Sequence, residues 1–149
     1  MPNQLRPFHL AIPVHNLEEC RTFYRDILEL PEGRSSEHWV DFNFFGHQLV
    51  IHIKDKESES ISNNEQEKES INPVDGKAVP IPHFGVVLDI KTFKIFSEKL
   101  ILKNISFIIE PYIRFEGQVG EQATMFFKDP SGNSLEFKAF NDLTQLFAK

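Results

Sequence analysis

The feature that most constrains this chain is a pattern written twice, two apolar strand-and-helix halves parted by a run that is almost wholly polar. Residues 54–72, KDKESESISNNEQEKESIN, hold only Ile61 and Ile71 as apolar positions. Such a run has little to bury and is expected to be a solvated, disordered loop. The halves on either side can be laid on each other, and that self-similarity has to be read before any single motif.

The first half opens on Phe8-His9-Leu10-Ala11-Ile12-Pro13-Val14, a strand-like run. Asn16 with Glu19 three residues on forms a helix-starting pair. Leu17, Cys20, Phe23, Tyr24, Ile27 and Leu28 then recur at helical spacing, an apolar stripe suited to lying on a sheet. Pro31 and Gly33 end it. A short strand near 33–36, a strand over Trp39–Phe44, a break at Gly46 and a strand over Gln48–Ile53 complete the half. The second half opens on a strand His83–Leu88 and continues in a helix from about Lys91 to Lys103, with Phe93, Phe96 and Leu100 inward and Asn104 as a left-handed stop. Strands over Ser106–Ile109, Ala123–Lys128 and Asn133–Phe140 follow, the last two joined by the turn Asp129-Pro130-Ser131-Gly132. Each half is βαβββ.

The expected class is α+β, two βαβββ modules forming a half-open, eight-stranded mixed barrel whose concave face is the natural place for a site. The chain is expected to be a single domain: module 1 about 5–54, the charged loop 55–72, module 2 about 80–141 and a tail 142–149. With 149 residues, 40% of them apolar, and 15 Phe, it can build a real core. The single cysteine, Cys20, cannot close an internal disulfide, which suits a reducing compartment. The start shows no secretory leader and no apolar run reaches membrane-spanning length, so a cytoplasmic protein without a membrane partner is expected. A net charge of -6 offers no basic stripe for phosphates, which argues against nucleic acid.

His9 and His83 hold the same place in the two halves, one residue inside the first strand of each. Glu136 lies in the last strand between Leu135 and Phe137, where burial is costly unless the carboxylate is paired or cation-bound. A strand histidine is commonly a hydrogen-bonded core residue and a strand glutamate commonly faces solvent. Two repeat-matched imidazoles and one carboxylate together form the facial set favoured by Fe(II), which also accepts Mn, Zn or Ni. Gly46 matches Gly132, so Val50 stands where the second half has Glu136, leaving the first module's carboxylate slot empty. Alternation puts Gln48 and His52 on the face of Val50, His47 on the other. His52 is the candidate general base and Gln48 a candidate substrate contact. The segment 110–121 reads as a ligand-closing loop carrying Tyr112, Arg114 and Gln118, with Arg114 suited to an anionic substrate group. The proline-rich stretch 72–82 reads as a rim or interface.

The chain resembles the vicinal oxygen chelate superfamily of glyoxalases, fosfomycin and bleomycin resistance proteins and type I extradiol dioxygenases. The strings PFHLAIPV, FYRDILEL, VPHFGVVL and MFFKDPSGNSLEFKAF carry the resemblance over nearly the whole chain. The last of these, with EPYIRFEGQVGEQ and WVDFNFFGHQL, looks most like the small predicted extradiol-dioxygenase branch. The resemblance implies a divalent metal, Fe(II) foremost, on His9, His83 and Glu136, and a small substrate that chelates it through two neighbouring oxygens, with O2 as co-substrate. It implies a catalytic role for His52; its pattern has a tyrosine in the strand before the ligand glutamate, where this chain has Met125, Phe126 and Phe127, so Tyr112 in the preceding loop is the second catalytic candidate. Trp39, Gln48, Arg114, Gln118 and Met125 are the candidate substrate contacts. A glyoxalase-like lyase or isomerase, and a ligand-binding protein of the bleomycin-resistance sort, are the alternatives. A homodimer is the expected assembly.

Overall fold

The computed structural model describes residues 4–54 and 70–149, which fall into two compact units, one within Met1–Gln66 and one within Glu67–Lys149. Unit 1 runs β1 (His9–Val14), α1 (Leu17–Thr22), a π-helical turn (Phe23–Ile27), β2 (Glu32–Ser35), β3 (Trp39–Phe44) and β4 (His47–Ile53). Its sheet has the order β1-β4-β3-β2, with β1 and β4 parallel. Unit 2 holds the hairpin β5 (Ser70–Val74) and β6 (Lys77–Ile81), then β7 (Val87–Asp89), α2 (Ile90–Leu102), β8 (Phe107–Arg114), β9 (Gln122–Lys128) and β10 (Ser134–Phe140). Its main sheet has the matching order β7-β10-β9-β8, with β7 and β10 parallel. The class is α+β and both βαβββ modules are present, their eight strands hydrogen-bonded as two four-stranded sheets. Among the described residues no helix is long and apolar enough to cross a membrane.

In unit 1 the apolar side chains of α1 and the π turn lie on one face of the sheet. Cys20, Phe23 and Tyr24 are buried with Val40, Phe42, Leu49 and Ile51, and the Tyr24 and Phe42 rings lie 5.6 Å apart. The Asn16 side chain accepts from the Glu19 backbone N–H at 3.0 Å, the cap expected of that pair. Regular helix ends at Thr22, earlier than the stripe implies, because the Leu28 N–H reaches back five residues to Phe23 at 3.0 Å. Arg21 forks onto Glu32, with Nε–Oε1 at 2.6 Å and Nη2–Oε2 at 2.8 Å, and ties α1 to β2.

In unit 2, α2 lies on the face of the sheet formed by Ala123, Met125, Phe127, Leu135, Phe137 and Ala139, all at most 1% exposed. Phe96 meets Phe137 at 4.8 Å, and Phe137 stacks on Phe127 at 5.7 Å. The helix begins one residue before the sequence suggests, because Asp89 caps it, accepting from the Thr92 N–H at 2.8 Å. Those bonds from Thr92 hold the Asp89 carboxyl below its usual range. Asn104 takes the expected left-handed conformation at φ 57°.

Three sequence expectations change. The opening strand of module 2 is interrupted: Phe84 makes a lone bridge to Leu135 and β7 starts only at Val87. The 110–121 segment is not a loop throughout, since β8 continues to Arg114. Most of the charged run lies outside the described residues, but Ser70–Val74, read as the end of that run and the start of a rim, is strand β5. The Asp75-Gly76 dipeptide explains the hairpin, both residues having positive φ (50° and 72°), as a tight two-residue turn requires.

Candidate metal centre

Cross-strand register fixes which side chains share the face of the unit 1 sheet away from α1. His9, Gln48 and Asn43 form one row, Ala11, Val50 and Asp41 the next, and Pro13, His52 and Trp39 the third. His9 Nδ1 lies 2.8 Å from Gln48 Oε1, and Gln48 Nε2 donates to Asp41 Oδ2 at 3.1 Å. Because Gln48 spends an N–H on Asp41, its oxygen faces His9, and His9 Nδ1 must be the protonated nitrogen. The lone pair of His9 is therefore on Nε2. Asp41, 8% exposed, anchors the chain of bonds.

Unit 2 reaches the same result by another route. His83 Nδ1 lies 2.7 Å from the Pro80 carbonyl oxygen, which can only accept, so Nδ1 again carries the hydrogen. His83 Nε2 then faces Glu136 Oε2 at 2.9 Å. A neutral imidazole lone pair and a carboxylate oxygen repel unless a cation, a proton or a metal, lies between them. Metal–nitrogen and metal–oxygen bonds of about 2.0–2.2 Å put two adjacent ligands about 3 Å apart, so the observed spacing fits a shared divalent ion. Thr124 Oγ1 donates to the other carboxylate oxygen, Oε1, at 2.8 Å, the supporting bond that a ligating carboxylate needs. The His83 ring is held edge-on against Phe126 at 5.1 Å. Among the described residues no three His, Cys, Asp or Glu side chains gather into a metal-binding group.

His83 and Glu136 open into a cavity of about 190 Å³ on the sheet face opposite α2. Val79, Ile109 and Phe126 give it an apolar wall, while Tyr112, Arg114 and Lys138 give it polar groups. Tyr112 is there because β8 is bulged. Ile109 pairs with Phe126 and Tyr112 with Thr124, so three residues of β8 span two of β9, and Ile109 and Tyr112 share a face. Burial, and then the Asp75 charge, push the Tyr112 hydroxyl above the ordinary tyrosine range, so it is a proton donor at neutral pH.

Trp39 and His52 stand side by side on the unit 1 face, and His52 is exposed. Gln48, a candidate for either a substrate contact or a structural role, has its amide engaged by His9 and Asp41. Gln118 is exposed on the turn beyond β8, its N–H bonded to Phe115, and does not line the cavity. Met125 is wholly buried on the α2 face, so it packs the core rather than a substrate; alternation puts Thr124 and Phe126 on the cavity side instead. Sequence reading missed Thr124, Asp41 and Gly85. The first two are polar residues in strands with no local signal of a partner. A Cβ on Gly85 would lie 1.6 Å from the Glu136 carbonyl oxygen, so only glycine lets this segment pass the ligand strand.

The sequence matches the family model described as Glyoxalase/Bleomycin resistance protein/Dioxygenase superfamily over residues 6–137. Among curated proteins none matches significantly. Among solved structures, a glyoxalase/bleomycin resistance protein/dioxygenase from Alicyclobacillus acidocaldarius is 32% identical, with a TM-score of 0.71 and coverage of 99% of this chain and 100% of that one. A lactoylglutathione lyase from Agrobacterium tumefaciens is 19% identical, with a TM-score of 0.62 over 99% and 98% of the two chains. A fosfomycin resistance protein from Listeria monocytogenes is 15% identical, with a TM-score of 0.57 over 93% and 94%. At the last two identities the likeness is one of fold.

Proposed function

Because the chain belongs to the glyoxalase/bleomycin resistance protein/dioxygenase superfamily, we propose that it is a metal-dependent oxidoreductase of the extradiol-dioxygenase type, acting on a small catecholic or enediol substrate. The observation that carries the reading is the opposed pair His83 Nε2 and Glu136 Oε2 at 2.9 Å, a spacing that a shared divalent ion would bridge. His83 and Glu136 would hold the metal with His9, Fe(II) being the preferred ion and Mn, Zn or Ni the substitutes. When bound, the ion would polarise two neighbouring substrate oxygens and stabilise the charge that develops on them.

The chain's own residues supply the rest. Gln48 and Pro80 hold the two imidazoles with Nε2 unprotonated, and Thr124 steadies the carboxylate. Val79, Ile109 and Phe126 exclude water from one wall and accept the flat face of a ring. Tyr112 offers a phenol hydrogen to a developing oxyanion, and His52 is the base for a substrate hydroxyl proton. The test is metal analysis of protein purified without chelators, then oxygen uptake by anaerobically Fe(II)-loaded protein with a panel of catechols. One O2 consumed per ring is the expected result, and no uptake with any of them would overturn the reading. A glyoxalase-like lyase is the second reading, favoured by Asp41, a buried carboxylate in register with Val50. It predicts turnover without oxygen on Zn, Ni or Mn.

A further inference from the structure

Beside the unit 2 cavity the Asp75 carboxylate sits on the Arg114 guanidinium. Nη2 donates to Oδ1 at 3.0 Å, Nε pairs with Oδ2, and the Tyr112 hydroxyl reaches Oδ2 at 3.4 Å. A planar fork plus a phenol is how proteins grip a free carboxylate. We propose that Arg114 and Tyr112 form a subsite for a substrate carboxylate, and that Asp75 occupies it as an internal stand-in which an anionic substrate displaces. The inference rests on His83 and Glu136 being the metal side of the same cavity, and it narrows the substrate class to small aromatic or enediol acids.

Four observations support it. Arg114 and Tyr112 both line the cavity that holds His83 and Glu136, so an acid bound there shares a chamber with the chelating end. Asp75 is no requirement of its turn, since Asn serves an Asn-Gly turn equally well. Its bridge is partly open to water, with 26% of the Arg114 side chain and 39% of the Asp75 side chain exposed, and it is carried on a two-stranded ribbon whose β5 strand is exposed throughout. The β6 strand is anchored by Val79, buried against Ile109 and Phe126, so only the turn that carries Asp75 has to give way. Lys138 adds a second cation to the lining, 3.9 Å from Glu136 Oε1.

The test is equilibrium binding of 3,4-dihydroxybenzoate, benzoate and catechol to metal-free protein by calorimetry, with circular dichroism to confirm folding. Wild type should prefer 3,4-dihydroxybenzoate to catechol. Asp75→Asn keeps the turn and frees the fork, and should tighten both carboxylates about tenfold while leaving catechol unchanged, because an occluded site binds in proportion to its open fraction. Arg114→Met should erase the preference, and Arg114→Lys should restore only part of it. Unchanged or weaker carboxylate binding in Asp75→Asn would overturn the proposal, and that variant alone decides if Arg114→Met does not fold. Oxygen uptake plays no part in this measurement, so a protein inactive with every catechol would still report on the subsite.

Discussion

At the scale of single residues, the proposed metal centre depends on which nitrogen of each histidine keeps its proton. Gln48 dictates this for His9 and a backbone carbonyl dictates it for His83. The dependence on a side chain makes His9 the more fragile of the two. Gln48→Leu should lower metal affinity about 10- to 100-fold while the fold survives, as read by competition titration against a chromophoric chelator. Glu136→Gln should lose stoichiometric metal altogether. Tyr112 has a different readout. Its hydroxyl is pushed above the ordinary range by burial first and by Asp75 next, so its phenolate absorbance should appear only at strongly alkaline pH. Asp75→Asn should bring that titration part of the way back down. His9, His83 and Glu136 stood out in the sequence as candidates because repeat position and strand context are local properties. Gln48, Thr124 and Asp41 were not legible as supports, because each acts on a residue of another strand.

At the scale of elements, two junctions set the modules. Gly85 lets the chain entering β7 cross β10 at Glu136, with no room for a methyl group. Gly85→Ala should cost about 2–3 kcal/mol and reduce metal binding with it, since the Glu136 backbone must move. Thermal melting and metal titration together check this, and a variant that melts and binds as wild type would contradict it. The fork between Arg21 and Glu32 joins α1 to β2, and the Arg21 bonds hold the Glu32 carboxyl below its usual range. A folded-state value below the unfolded one stabilises the protein above the unfolded carboxylate range, and that contribution fades as pH falls through the folded value. Glu32→Gln should therefore cost about 1 kcal/mol at neutral pH. The gap between variant and wild type should close in acid below about pH 4, followed by denaturant melts across pH. Helix and strand placement came through well in the sequence, since caps such as Asn16 and turns such as Asp129–Gly132 are signalled by neighbouring residues. The β8 bulge did not, because it is an accommodation between two strands and leaves no mark in either alone.

At the scale of the whole molecule, metal binding should appear as stability. Saturating divalent ion at about 100 times its dissociation constant should add about 2.7 kcal/mol to unfolding, and a chelator should remove it. His9→Ala in unit 1 and His83→Ala in unit 2 should each abolish that metal-dependent rise in Tm, whereas a set confined to unit 2 would respond only to the second. The sequence by itself determined the two βαβββ modules, the order of their elements and the family, and it singled out His9, His83 and Glu136 as candidate ligands, because periodicity, capping and repeat register are written in short stretches of chain. Only the tertiary structure decided that Tyr112 and Arg114 turn into a cavity, that Met125 turns away from it, that Gly85 must lack a side chain and that Asp75 covers Arg114. Each of those depends on which strand lies beside which and in what register, and a one-residue shift exchanges the two faces of a sheet.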